Sequence, residues 1–163
     1  MRRTIPTRGF SLLEVLVVIM IIGMMSAIIV PSMGRTLVGM HLKTGARDVM
    51  NVLRIARETA IKEQAVTMVR VDFVKHVFKV TDEFGEARHE YELHKDVEIE
   101  AVRIEGTAVL KQEVVDIYFY PEGYATGAEV VLRTPQTENR VTLRTDSVTG
   151  TVQMLTDKDA QGR

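Results

Sequence analysis

The chain has 163 residues, no cysteine, 26% charged residues and a formal net charge of −1 at pH 7. This length is enough for one domain with its own core beside an anchoring segment, and the missing cysteines exclude a disulfide framework. The balanced charge is a poor match for nucleic acid, which proteins bind through clustered Lys and Arg.

A basic N-terminal stretch is followed by a long apolar segment. Residues 1–9 hold three arginines and no acid, and residues 10–30 carry no charge except that of Glu14. As a helix, the apolar segment would be about 31 Å long, close to the thickness of a bilayer's hydrocarbon core. We therefore predict a transmembrane helix over residues 10–30. The alternative is a removed signal peptide, but that would need a small-residue cleavage site after the segment, which Pro31-Ser32-Met33-Gly34 does not offer.

The single carboxylate of the apolar segment is its most unusual feature. A charged side chain in hydrocarbon costs about 2.5–3.5 kcal/mol on the insertion scale, so it is usually retained for a function. We predict that Glu14 is neutralised by a partner after insertion, which indicates assembly. The alternative is that Glu14 lies near the interface and extends its carboxylate to the headgroups.

The arginines indicate the orientation of the predicted helix. They are denser before the apolar segment than after it, which favours a cytoplasmic N-terminus. We therefore predict a single-pass protein of the inner membrane whose C-terminal domain lies in the periplasm.

The segment Arg8-Gly9-Phe10-Ser11-Leu12-Leu13-Glu14 resembles the processing site of the type IV pilin superfamily, which includes the pseudopilins of type II secretion. The resemblance implies that residues 1–9 are a leader, that a prepilin peptidase cleaves between Gly9 and Phe10, and that Phe10 is then N-methylated. It also implies three kinds of partner: other pilins or pseudopilins, the peptidase, and an inner-membrane assembly platform. Without the leader, 18 Lys and Arg stand against 22 Asp and Glu, a formal net charge of −4.

Cleavage at this place would give Glu14 a partner. It creates an α-amine at Phe10, four residues from Glu14 on the same helix face. Glu14 of one subunit could pair with that amine on its neighbour, and docking would then relieve the cost of two intramembrane charges together.

Pro31 follows the apolar segment. A proline in a membrane helix removes one hydrogen bond and produces a kink rather than an end. The pilin resemblance implies a bend at this position, and the alternative is a helix that ends at the membrane surface.

The helical period returns between His41 and Gln64. Six apolar residues follow one another at spacings of four and three, which predicts one buried helix face. They are Leu42, Ala46, Val49, Leu53, Ala56 and Ala60. We therefore predict that residues 31–64 form the periplasmic half of a long helix and that this half packs on a sheet.

After Gln64 the period of the apolar residues changes to two, as in Val69, Val71 and Phe73, and turn residues separate about eight short segments. Strands are predicted at 69–73, 77–80, 90–93, 97–104, 114–120, 129–134, 140–145 and 150–155. The predicted fold class is α+β, with the long N-terminal transmembrane and amphipathic helix packed on an antiparallel two-sheet β domain over residues 65–156. The polar residues 157–163 are expected to form a disordered tail.

Three further segments resemble the GspH/FimT family of minor pilins and pseudopilins. They are the helix-to-strand junction of Ala56–Ile61 with Val66–Val69, the strand-and-turn segment Ile117–Gly127, and the late hairpin of Arg140–Leu143 with Thr149–Val152. The missing cysteines agree with a minor subunit, because many major type IV pilins close a C-terminal loop with a disulfide.

No catalytic or cofactor motif is found, so we expect the chain to be neither an enzyme nor a cofactor-binding protein. One cluster of ligand-type residues is a candidate metal site. If residues 89–94 form a strand, Glu90, Glu92 and His94 would share a face and could hold a metal loosely. The alternation fits a solvated strand face opposite Tyr91 and Leu93 better, so no metal is expected.

The preferred function is that of a minor pseudopilin, a structural subunit at the tip of the periplasmic pseudopilus of a type II secretion system. Secreted protein substrates are further candidate partners. The alternative is a minor pilin of a type IV pilus with a role in pilus assembly or in binding DNA or a surface, although the acidic mature charge counts against DNA. A membrane-tethered periplasmic enzyme would need a convergent polar site, which the sequence does not indicate.

Overall fold

The computed structural model describes residues 10–105, 114–137 and 139–156, without the side chains of residues 27–36 and 156. The predicted leader and the predicted tail therefore lie outside the described residues. One helix and eight strands are present in them, in the order α1 (Leu12–Glu63), β1 (Thr67–Asp72), β2 (Val77–Asp82), β3 (Ala87–Glu92), β4 (Glu98–Ile104), β5 (Val114–Phe119), β6 (Ala128–Arg133), β7 (Arg140–Thr145) and β8 (Val152–Thr156). The contacts divide the chain into two compact units, one up to Thr36 and the other from Leu37 onward.

The first unit contains the start of α1. Ser11 caps the helix, because the N–H of Leu13 lies 3.3 Å from its hydroxyl oxygen and the N–H of Glu14 lies 3.0 Å from its carbonyl oxygen. The large apolar side chains described between Phe10 and Met25 are all at least 43% exposed. Exposed apolar surface of this extent is typical of a membrane or subunit contact.

Within the described part of α1, no stretch is both long and apolar enough to cross a membrane. The transmembrane span predicted over residues 10–30 is therefore not confirmed. The helix continues through Pro31, so α1 does not end there. The side chain of Pro31 is not among those that the structure describes, so the kink at Pro31 stays a prediction.

The second unit contains the rest of α1, which buries the face that the spacing predicted. All six residues of the apolar stripe from Leu42 to Ala60 are at most 2% exposed. Polar side chains of the opposite face are exposed, namely Lys43, Arg47, Asn51, Arg54, Glu58 and Lys62. This part of α1 is amphipathic, and its stripe belongs to the same hydrophobic core as residues of both sheets.

Two four-stranded antiparallel sheets form the rest of the unit. Their strand orders are β3-β2-β1-β5 and β4-β6-β7-β8. In the first sheet Val69 of β1 is paired with Val80 on one side and with Ile117 on the other, and all three are buried. The predicted α+β fold, with a helix packed on two antiparallel sheets, is confirmed.

Three of the hairpins are closed by the same kind of aspartate-capped turn. An aspartate at or just after the end of a strand accepts backbone hydrogen bonds from residues two to four positions later, as in an Asx turn. The three are Asp72 after β1, Asp82 after β2 and Asp146 after β7. These bonds lower the pKa of Asp146, with the backbone N–H of Thr149 as the main cause. The sheet geometry thus depends on local polar bonds as well as on the core.

Candidate functional site

The residues predicted to direct processing and assembly lie at the start of α1. Phe10 is 79% exposed, and Glu14 is exposed in the first helical turn. Phe10 precedes α1, which begins at Leu12, and it lies four positions before Glu14 in the chain. Gly9 lies outside the described residues, so the predicted cleavage site is described on its Phe10 side alone.

The position of Glu14 is electrostatically favourable even without a partner. The first turn of a helix carries a partial positive charge from its free N–H groups, and a carboxylate there is stabilised by about 0.3–1 kcal/mol. Among the described residues, the Glu14 carboxylate accepts no hydrogen bond and forms no ion pair. It is therefore available to a cation from another molecule.

In the second unit, Arg57 connects α1 to two distant loops. Its Nε donates to the carbonyl oxygen of Thr149 at 3.0 Å and lies 3.3 Å from that of Gly123. The first loop closes the β7–β8 hairpin, and the second leads from one sheet to the other. A half-buried guanidinium that bonds carbonyl groups in this way holds three parts of the fold together.

The loops approach each other closely where Gly150 stands. Gly150 has φ +62°, and a Cβ atom on it would lie 2.4 Å from the carbonyl oxygen of Gly123. Gly123 also has positive φ, +92°. Glycine is needed at Gly150 both for the backbone conformation and for the contact.

These contacts unite the three segments that resemble the GspH/FimT family. Arg57 lies in the helix-to-strand junction, Gly123 in the strand-and-turn segment and Gly150 in the late hairpin. The sequence indicated each segment separately, but not that they meet. Arg57 lies 66 positions before Gly123 and 92 positions before Thr149 in the chain. Contacts over such separations leave no periodic pattern in the sequence that could predict them.

Glu90, Glu92 and His94, the candidate metal ligands, do not share one strand face. Strand β3 ends at Glu92, so His94 lies in the following loop rather than on the strand face. Glu90 pairs instead with Lys79 of β2, with 3.0 Å between Oε2 and Nζ. His94 lies beside His41 and Asp96, a grouping that the sequence analysis missed because His41 lies on α1. The part of this grouping that a local pattern could have indicated is the pair His94 and Asp96, which stand two positions apart.

The comparisons with known proteins concern the two parts of the chain separately. Residues 6–30 match the model of the prokaryotic N-terminal methylation motif. This motif implies a pilin-like, membrane-anchored N-terminus. A search of curated proteins gives no match.

The fold is similar to that of several solved structures. A crystal structure of the minor pseudopilin EpsH from the type II secretion system of Vibrio cholerae matches with a TM-score of 0.58 and 14% identity, over 71% of this chain and 94% of EpsH. A second EpsH structure matches with a TM-score of 0.55 and 13% identity, over 71% and 97% of the two chains. The type IV minor pilin FimU of Pseudomonas aeruginosa matches with a TM-score of 0.52 and 11% identity, over 70% and 92%. The chain therefore joins a methylation motif to the fold of minor pseudopilins and pilins.

Proposed function

We propose that this chain, with its methylation motif and pseudopilin-like fold, is a minor pseudopilin that joins the tip of a periplasmic pseudopilus in a type II secretion system. The observation that carries the proposal is the presence of both features in one polypeptide. The motif covers residues 6–30, and the fold that EpsH shares covers 71% of the chain. A motif match alone would leave the role of the β domain open, and a fold match alone would leave the anchoring open.

The proposed maturation begins with removal of residues 1–9 by a prepilin peptidase. The bond cleaved lies between Gly9 and Phe10, and Phe10 is then N-methylated. The apolar residues 10–30 remain as a single-pass anchor in the inner membrane, with a cytoplasmic N-terminus before cleavage. The helix from 31 to 64 and the β domain of 65–156 lie in the periplasm, with a bend at Pro31.

Glu14 has the central role in the proposed assembly. Cleavage leaves a cationic amine on Phe10, directly at the positive end of α1, where a second positive charge is unfavourable. The exposed carboxylate of Glu14 on a neighbouring subunit can neutralise this amine. Both charges are costly when each is alone in hydrocarbon, so pairing them favours the docked state.

The proposed partners follow from this mechanism. They are other pseudopilins or pilins, the prepilin peptidase and an inner-membrane assembly platform, with secreted proteins as candidate cargo at the tip. The exposed apolar side chains of Phe10 to Met25 are suited to contact with lipid and with equivalent helices. We propose a structural role for the chain and assign it no enzymatic activity.

A type IV pilus is the second candidate system, and the similarity in fold to the minor pilin FimU supports it. In that case the chain would assist pilus assembly or bind DNA or a surface. The formal net charge of −4 without the leader argues against a DNA site that depends on overall charge.

Deletion of the gene in the source organism separates the two systems. We expect loss of protein export to the medium while surface pili remain, with export restored by the wild-type gene and not by a Glu14→Gln version. Loss of pili with normal export would instead assign the chain to a pilus. Normal export and normal pili in the deletion strain would overturn both proposals.

A further inference from the structure

Three metal-ligating side chains meet on the surface of the second unit. His41 comes from α1, and His94 and Asp96 come from the loop between β3 and β4. The Nδ1 atom of His41 lies 3.1 Å from Oδ2 of Asp96, and Nδ1 of His94 lies 3.3 Å from the same oxygen. The two imidazole rings are 3.9 Å apart between centroids. We call these three residues the His41 cluster.

The distances in the His41 cluster fit the edges of a small coordination polyhedron. In a tetrahedral zinc site with metal–ligand bonds of about 2.0–2.1 Å, neighbouring ligand atoms lie about 3.3 Å apart. Both nitrogen-to-oxygen distances are close to this value. One donor atom from each of the three residues lies within 4.8 Å of the other two, so a single ion can reach all of them after small side-chain rotations.

The hydrogen-bonding environment of His94 also favours a cation. The backbone nitrogen of Asp96 lies 3.3 Å from Nδ1 of His94 and favours the tautomer in which this nitrogen has its one lone pair, which a bound ion would take in place of the weak N–H bond. The same nitrogen then faces the carboxylate of Asp96, which is itself an acceptor. Two lone pairs at this distance repel each other unless a proton or a metal ion lies between them, and both Nδ1–Oδ2 contacts can hold either.

The ligands are held by structure on both sides. The apolar residues Leu93 and Val97 flank the loop and are buried at 6% and 1% exposure. The N–H of Val97 bonds the carbonyl oxygen of His94 at 2.8 Å, and that of Leu93 bonds the carbonyl oxygen of His76 at 3.0 Å. The backbone of His41 is held in α1 beside Leu42, the first buried residue of the stripe. Because the backbone is already ordered, binding has to restrict only the side chains of the ligands.

We propose that the His41 cluster binds a divalent transition-metal ion, with Zn²⁺ as the preferred ion. Two imidazole nitrogens and one carboxylate oxygen form a donor set that suits Zn²⁺ and disfavours Ca²⁺ and Mg²⁺, which take oxygen ligands. The side chains of His41 and His94 are 37% and 44% exposed, so a fourth position is open to water or to a donor from another molecule. The bound ion would link α1 to the β3–β4 loop. This proposal does not depend on the proposed role in secretion.

The test uses the full chain in detergent, purified without a polyhistidine tag and stripped of metal. Titration with Zn²⁺ is followed by calorimetry, and Co²⁺ is used as a spectroscopic probe of tetrahedral geometry. We expect one ion per chain. We also expect at least about tenfold weaker binding in His41→Ala and in His94→Ala, because each removes a ligand.

His89→Ala is the matched control, since His89 is an exposed histidine on β3 outside the His41 cluster. This variant should bind Zn²⁺ like the wild type. Zn²⁺ should raise the unfolding temperature of the wild type and of His89→Ala, and should leave that of His94→Ala nearly unchanged. Circular dichroism of His94→Ala without metal shows whether the variant is folded.

Two results would overturn the proposal. One is the absence of saturable Zn²⁺ binding by the wild type. The other is unchanged binding by folded His41→Ala and His94→Ala, which would place the ion elsewhere.

Discussion

The Nε atom of Arg57 on α1 lies 3.0 Å from the carbonyl oxygen of Thr149, a residue 92 positions later in the chain. The same atom lies 3.3 Å from the carbonyl oxygen of Gly123. One side chain thus holds the helix, the connection between the two sheets and the last hairpin at fixed positions. A domain that presents its loops to other subunits in an assembly would depend on such contacts for a constant surface.

Replacement of Arg57 tests this role. We expect Arg57→Ala to lower the free energy of unfolding by about 1.5–3 kcal/mol, the usual range for hydrogen bonds that involve a charged group. Urea unfolding of the detergent-solubilised chain measures the change. Arg54→Ala is the control, because Arg54 is exposed on the same helix, and it should stay within about 0.5 kcal/mol of the wild type. Equal effects of the two substitutions would contradict the role of Arg57.

The close approach at Gly150 gives a second prediction. Gly150→Ala forces a Cβ atom to 2.4 Å from the Gly123 carbonyl oxygen, in addition to the strain of a residue with φ +62°. Gly85→Ala meets a similar backbone strain at φ +83° but has no atom within 4 Å of the new Cβ. We expect Gly85→Ala to lose about 1–2 kcal/mol and Gly150→Ala to lose about 1–3 kcal/mol more. Thermal unfolding that ranks the two variants equally would show that the contact is unimportant.

Tyr91 provides a prediction about pH. Its hydroxyl donates to Asp48 of α1 at 3.0 Å, and burial, followed by this bond and the negative charge of Asp48, raises its pKa to about 12. Because the folded pKa lies above the unfolded value of about 10, the stabilisation is complete below pH 10 and is lost as the pH rises through 12. The stability difference between the wild type and Tyr91→Phe should therefore shrink over this interval.

Chemical unfolding at several alkaline pH values measures that difference. Tyr124→Phe is the control, because the Tyr124 ring is 43% exposed and its hydroxyl forms no hydrogen bond among the described residues. Its difference from the wild type should change little over the same interval. A Tyr91→Phe difference that stays constant from pH 8 to pH 12 would contradict a raised pKa of Tyr91 in the folded protein.

Much of this fold could be predicted from local patterns in the sequence. The stripe from Leu42 to Ala60 was recognised because a helix repeats its faces every three to four residues, and all six members are buried. All eight strands were predicted within a few residues of their ends, since alternation and turn residues are also local signals. Strand β3 begins at Ala87, three residues before the predicted start at residue 90. The start could not be predicted because nearly all of β3 is exposed and lacks the alternating burial of the other strands.

What could not be predicted depends on contacts between distant residues. The pairing of β5 with β1, and of β4 with β6, joins segments whose spacing in sequence carries no signal. The same is true of the Arg57 contacts. Glu90, Glu92 and His94 would share a face only on one continuous strand, but β3 ends before His94, whose ring lies beside that of His41 on α1.

The assembly role of Glu14 can be separated from its role in the helix. Glu14→Gln keeps the shape of the side chain but removes the charge, so we expect normal processing and membrane insertion with loss of cross-linking to partner subunits. Ser11→Ala is the control, because it weakens the helix cap without removing the charge. Undiminished cross-linking of Glu14→Gln would exclude the proposed pairing with a neighbour's Phe10 amine.

The central claim is that the chain is trimmed before Phe10 and then anchored and assembled through the exposed apolar helix. The most direct measurement is the intact mass and N-terminal sequence of the protein purified from its native membrane. We predict a chain that begins at N-methylated Phe10, and a Gly9→Ala variant that keeps its leader. A native protein that begins at Met1, or a Gly9→Ala variant trimmed to the normal size, would contradict the account.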